Sequence, residues 1–288
     1  MESLAHMHLT DDWQVIAHQS TKESVADLID LYDRLNDCYA AYTVNISAHE
    51  TPLSASLLTP SKQVLVDFYE SPPTKLKKLI RDRRNKHNLD CCPYCGCPNK
   101  PDTLDHFIPK DDWPEYSIYP NNLIPQCGGC APIKGKFYFC NAQRSVLFLH
   151  PIYTNLLSKV FFSVEINLAD DNSAPTFTPR FHIEDISEPD KRRVAIHLIK
   201  LQTKRRFIEY CETEFIIWRN LRRRSAFSIE DAMNQRIIEK SPDRISAQDW
   251  GTALYIGIIS NPQIVDYFNR IKSHTTKTVT SLRVEITI

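Results

Sequence analysis

Glycine is scarce in this chain, with six in 288 residues. Four of them, Gly96, Gly128, Gly129 and Gly135, lie close together, so tight turns are predicted there and at few other places. Long apolar runs are missing as well. Nothing approaches the roughly 18 consecutive apolar residues of a membrane helix, which excludes helical membrane-spanning classes. The opening residues, MESLAHMHLTDDW, have neither a basic start nor an apolar stretch, and do not read as a secretory leader. There is no internal repeat and no low-complexity segment. The expectation is a soluble, cytoplasmic protein, long enough to bury a full core in two or three packed units.

A net charge is missing too, but the zero is an average over blocks. Met1 to Glu70 carries eleven acidic residues against Lys22, Arg34 and Lys62. Lys75 to Lys86 holds seven basic residues against Asp82, and Lys191 to Arg224 holds eleven against Glu209, Glu212 and Glu214. Separate acidic and basic blocks point to separate partners, or else to solvated helix faces. For the Arg222-Arg223-Arg224 run, position at a helix C-terminus is an adequate explanation.

The pattern predicts an α+β chain, mainly helical, in three regions. Residues 1–74 read as an acidic helical region. Ser20-Thr21-Lys22-Glu23 has the form of a capping box, with Val25, Leu28, Ile29, Tyr32 and Leu35 on one helical face after it. Pro72-Pro73 closes this region. Residues 75–153 hold a short basic helix, Thr74 to Arg84, and then the cysteines. Residues 154–288 begin with two strands, 160–168 and 176–183, across a polar turn from Asp170 to Ser173. A long helix is predicted from Pro189 to Arg224, with Val194, Leu198, Leu201, Ile208, Cys211, Phe215 and Trp218 as its core stripe. Further helices start at Ser228, Ser246 and Asn261-Pro262, and the tail VTSLRVEITI alternates like a strand.

What the chain has in quantity is cysteine at close spacing. Six of nine fall from Cys91 to Cys130. In a cytosolic chain this pattern reads as metal binding rather than a disulfide framework. Two Cys-x-x-Cys pairs, Cys92/Cys95 and Cys127/Cys130, are separated by 31 residues and make a tetrahedral structural zinc site. Cys91 and Cys97 lie near enough to compete, but the form CPYCG, with Gly96 supplying the turn, favours Cys92 and Cys95. Loss of the metal is expected to unfold the segment.

Between the pairs stand TLDHFIPK (103–110) and PNNLIPQCGGCAPIKGK (120–136). These residues, with HPIY at 150–153, resemble the HNH family of nucleases, in particular its zinc-stapled branch. The resemblance covers residues 91–153. It implies a ββα-metal finger, which the pattern sets between helical regions and a small β-hairpin, and a metal-dependent endonuclease acting on DNA, with RNA left open. His106 is the candidate general base, since an imidazole titrates near neutral pH. Asp105 would hold Mg²⁺ or Mn²⁺, which stabilises the departing oxygen. Asn122, or Asn121 in its place, would hold the loop and orient His106. Family members carry an Asn or His as a further ligand on the finger helix. Here Ala131 stands at that position, and a methyl group binds no metal. As written the finger is therefore expected to be inactive or weakened, unless Asn141 or His150 supplies the ligand. Lys110, Lys134 and Lys136 are candidate phosphate contacts.

A finger of this kind in a helical protein also resembles the nuclease subunits of Septu-type anti-phage systems, which work with an ATPase. The acidic residues 1–74 are the candidate docking surface for such a partner. The alternative reading is a zinc-stapled module that grips nucleic acid or protein without cutting. His182 and His197 have no partner at metal spacing and read as surface or packing residues.

Overall fold

The computed structural model describes residues 1–10, 12–169, 174–240 and 247–272. The fold is mixed α/β and mainly helical, with three small two-stranded antiparallel sheets among the described residues.

Short helices build the N-terminal region: α1 (Trp13–His18), α2 (Val25–Asp30), α3 (Tyr32–Ser47) and α4 (Lys62–Glu70). The expected capping box does not cap. Helix α2 starts only at Val25, and the chain pauses at Leu31 before α3. That restart sets the buried face at Leu28, Leu31 and Leu35, while Ile29 of the predicted stripe stays 48% exposed. Helix α5 (Thr74–Asn85) follows Pro73, which stands at the N-cap in extended backbone. It buries Leu76, Ile80 and Arg83, and exposes Lys75, Lys77, Lys78 and Arg81.

The central region is a hairpin and a turn of helix. Strand β1 (Thr103–His106) pairs with β2 (Leu123–Gln126), setting Asp105 opposite Ile124 and His106 opposite Leu123. Helix α6 (Ala131–Lys134) follows the second cysteine pair directly. A two-residue ladder, β3 (Phe139–Cys140) with β4 (Ser145–Val146), ends the region. The acidic helices and the hairpin share one core: Trp13, Leu28, Leu35, Leu65 and Phe68 pack with Leu76, Ile80, Ile118 and Leu123. Pro72-Pro73 is thus a bend in the chain, and hydrophobic packing continues across it.

Strands β5 (Val160–Asn167) and β6 (Thr176–Ile183) form the predicted hairpin. The expected turn at Asp170 to Ser173 lies outside the described residues. Val160, Phe162, Val164 and Ile166 alternate into the core. The predicted single helix from Pro189 is two, α7 (Glu188–Lys200) and α8 (Thr203–Arg224), because Gln202 turns left-handed at φ 52°. The break resets the phase of the stripe. Phe207, rather than Ile208, joins Cys211, Phe215 and Trp218 inside. Helix α9 (Ile229–Lys240) precedes α10 (Trp250–Ile259), which the Asp249 side chain caps through Thr252 N–H. Helix α11 (Pro262–Arg270) starts at Asn261 as expected, with that side chain as cap. Ser246 and the tail VTSLRVEITI lie outside the described residues. Among the described residues no helix is long and apolar enough to cross a membrane.

Candidate metal centre and the Asp105–His106 site

Four thiols converge beside the hairpin. The sulfurs of Cys92, Cys95, Cys127 and Cys130 all lie within 4.8 Å of one another, and all four residues are buried. Cys92 and Cys130 sulfurs are 3.9 Å apart, and those of Cys95 and Cys127 are 3.8 Å apart. A tetrahedral ion with Zn–S bonds of about 2.3 Å needs S···S edges of roughly 3.8 Å, so this donor set fits zinc. Cys91 and Cys97 are not part of the cluster.

Local geometry explains the fit. In the first pair Gly96 N–H returns to the Cys92 carbonyl at 2.9 Å, with Gly96 at φ +76°. A Cβ there would lie 2.7 Å from the Phe162 ring, so both backbone and neighbour demand glycine. Cys127 N–H points at the Cys92 sulfur (3.4 Å), the contact of a backbone dipole with a thiolate. Helix α8 adds a residue that spacing could not reveal. The Arg206 guanidinium lies 3.4 Å from the Cys130 sulfur and 3.5 Å from that of Cys127. Gly129 clears its path, since a Cβ would stand 2.4 Å from an Arg206 nitrogen. Burial opposes the charge of Arg206, but the surrounding thiolates outweigh it and raise its pKa. A guanidinium is the right neighbour for a thiolate-rich ion of net negative charge.

His197 is a prop. Its Nδ1 accepts from Leu149 N–H (3.0 Å) and its Nε2–H donates to the Tyr94 carbonyl (2.6 Å). Burial holds its pKa down at about 4, so the ring is neutral at pH 7. His182 sits at the surface beside Ser163.

Tyr94 joins this centre to the next. It lies between the two cysteines of the first pair, and its hydroxyl donates to Asp105 Oδ2 at 3.0 Å. The same oxygen is 3.0 Å from Lys134 Nζ. Lys134 was expected to meet phosphate; its side chain is instead 0% exposed. Its ammonium also donates to the carbonyls of His106 (3.1 Å) and Phe107 (3.3 Å), under the rings of Phe107 and Phe148. The three hydrogens of an ammonium thus have three oxygen acceptors. Burial raises the pKa of Asp105, and Lys134 works against that rise.

A divalent cation does not fit this donor set. Asp105 Oδ2 is committed to an ammonium and a phenol, which leaves Oδ1 as a single carboxylate oxygen for an ion. Ala131, three residues before Lys134 and on the same side of α6, brings no donor atom. Asn141 is exposed on the turn after β3. The ring nitrogens of His150 are both engaged, Nδ1 by Ile152 N–H (3.3 Å) and Nε2 by the Tyr42 hydroxyl (3.1 Å).

His106 ends β1, half-buried, with its Nε2–H on the Ser117 carbonyl at 2.9 Å. Tyr69 of α4 meets its ring edge-on at 4.3 Å between centroids. Desolvation lowers its pKa to about 3; the Ser117 bond opposes that, and the charges of Lys110 and Lys134 add to it. Asn122 pins the loop that carries Ser117. Its Oδ1 accepts from Ile108 N–H (2.7 Å) and the Tyr42 hydroxyl (2.8 Å). Its Nδ2 donates to the carbonyls of Ile108 (2.9 Å) and Tyr116 (3.1 Å). Asn121 does something else, gripping the backbone of Leu9. Lys110 pairs with Glu70 at 2.8 Å, while Lys136 is exposed. Burial raises the pKa of the Tyr69 hydroxyl, and the charge of Arg84 on α5 works against that rise.

No protein-family model matches the chain. No solved structure matches it either. A curated relative, protein ea31 of Escherichia phage lambda, is 30% identical over 114 residues, 38% of this chain. That stretch is 36% of the relative, so the chain spans about a third of the length of the protein it resembles.

Proposed function

We propose that residues 91–153 form a zinc-stapled ββα finger of the HNH type that hydrolyses phosphodiester bonds of DNA. The observation that carries the proposal is the mounting of His106. Its Nε2–H is committed to the Ser117 carbonyl, on a loop that Asn122 closes with three hydrogen bonds and ties to Tyr42 of α3 with a fourth. That leaves Nδ1 to take a proton from an attacking water. In the free protein burial holds the imidazole neutral, the form a base needs, but makes it a weak one. The negative charge of a bound phosphodiester raises its pKa toward the useful range. Lys136 and the exposed lysines of α5 supply cations for the backbone of the nucleic acid. The same proposal includes a role in anti-phage defence and an ATPase partner docked on residues 1–74. A relative encoded by a phage supports a phage-linked role.

One observation favours a second reading, a module that binds nucleic acid without cutting it. Asp105 is held by Lys134 and Tyr94, and Ala131 offers no ligand. Supercoiled-plasmid cleavage separates the two, comparing the zinc-loaded chain with His106→Ala and Ala131→Asn, alongside a gel-shift assay. Cleavage lost in His106→Ala supports the nuclease. Retarded DNA that no form cuts moves the binding module ahead.

A further inference from the structure

The Asp105–His106 site already contains a cation. Lys134 reaches it from α6, the helix on which Ala131 stands in place of a metal ligand. Its ammonium has a carboxylate oxygen and two backbone carbonyls as acceptors, two aromatic rings around it, and no exposure to water. A buried ammonium with all its hydrogens satisfied beside a buried carboxylate is neutral as a pair. A magnesium ion, by contrast, needs near-octahedral oxygen ligands and keeps several waters. To bind at Asp105 Oδ2 it would have to expel Lys134, break three hydrogen bonds and strand a charge away from its partner. At Oδ1 it would gain that one protein oxygen and no second ligand. The donors that could complete its shell are elsewhere: His150 is tied to Tyr42 and Ile152, and Asn141 is exposed on a turn.

We infer that the Lys134 ammonium is the resident cation of this site, standing where the resemblance places a divalent ion, and that the site takes up no Mg²⁺ or Mn²⁺. Lys134 is thereby a positioning residue. Through one carboxylate and two carbonyls it fixes the end of β1, from which His106 projects. Its full burial keeps it from touching a phosphate itself. The nuclease reading supplies the meaning of the site, but the occupancy of the site by an ammonium does not depend on that reading.

The test is therefore a binding measurement. The full, zinc-loaded chain is titrated with Mn²⁺, and the electron paramagnetic resonance signal of free Mn²⁺ is followed. The chain as it stands is expected to leave that signal unchanged. Lys134→Met combined with Ala131→Asn is expected to gain one Mn²⁺ site, and adding Asp105→Asn to abolish it. Zinc content and circular dichroism identify which variants are folded. Uptake of one Mn²⁺ by the unaltered chain, lost in Asp105→Asn, would overturn the inference. So would a folded double variant that takes up no more Mn²⁺ than its parent. If no form cuts plasmid DNA, the nuclease reading fails while the Mn²⁺ result stands.

Discussion

Two ends of one hairpin treat charge in opposite ways. At the Thr103–Gln126 end, four sulfurs stand at the corners of a tetrahedron, and a cation beside them, Arg206, touches them from outside. At the His106–Leu123 end, a single carboxylate already holds an ammonium. The first site is a set of donors arranged for an ion. The second is a closed pair in a place where the sequence suggests an ion. Ligand counting works where every ligand is a cysteine, because few side chains compete for a cluster of thiolates. It fails where the ligand is a carboxylate, because any lysine within reach competes with the metal.

The largest effect is expected from loss of the metal that the four thiols could hold. Chelation, or Cys92→Ser, is expected to unfold the segment from Cys91 to Lys136 and to release Tyr94 from Asp105. Far-ultraviolet circular dichroism with zinc released into a colorimetric chelator would follow both ends together. A carboxylate end that survives zinc loss would show the two to be independent.

Next in size is the ion pair. Lys134→Met leaves Asp105 buried without its partner, a loss of about 3–5 kcal/mol. Lys134→Met with Asp105→Asn removes both charges and should recover most of that loss. Urea denaturation of the single and double variants gives the coupling directly, and additive losses would mean that the pair is not a unit.

Acid sharpens the contrast through His197. Its folded pKa, about 4, lies below the ordinary 6.5, so the unfolded chain binds the proton more readily. The stabilisation is complete above pH 6.5 and is lost as pH falls toward 4, on the order of 3 kcal/mol at full extent. His197→Gln keeps an acceptor for Leu149 and a donor for Tyr94 without titrating. Its urea midpoint should fall less steeply over that window. Thiolate protonation is common to both proteins, so equal slopes would remove His197 from the account.

The smallest expected effect is at Arg206. Arg206→Gln should weaken zinc binding by about 10- to 100-fold, as loss of a ligand's outer partner commonly does. Competition with a chelator of known affinity measures it, and an unchanged affinity would reduce Arg206 to a packing residue over Trp250, where it also lies.

Much of the sulfur end was legible in the sequence. Spacing names Cys92, Cys95, Cys127 and Cys130, and the glycine in CPYCG favours Cys92 and Cys95 over Cys91 and Cys97. Arg206 was not legible, because it arrives from a helix distant in sequence. The break that starts this helix, at Gln202, is a left-handed residue that apolar periodicity cannot announce. The role of Lys134 was hidden for another reason. On sequence it is one more lysine beside a finger, and only the fold of α6 against β1 brings it to Asp105. Helix starts at Pro73 and Asn261 could be read from local chemistry. Ser20–Glu23 could not, since the same residue types also serve ordinary turns.

The order in which the chain is made gives Arg206 one more consequence. All four thiols leave the ribosome before α8, and the Arg206–Cys130 contact spans 76 residues. A zinc ion captured on the nascent chain would therefore wait with one flank open until that guanidinium arrives. During synthesis the knuckle should surrender its metal to a competitor far more readily than the finished protein does.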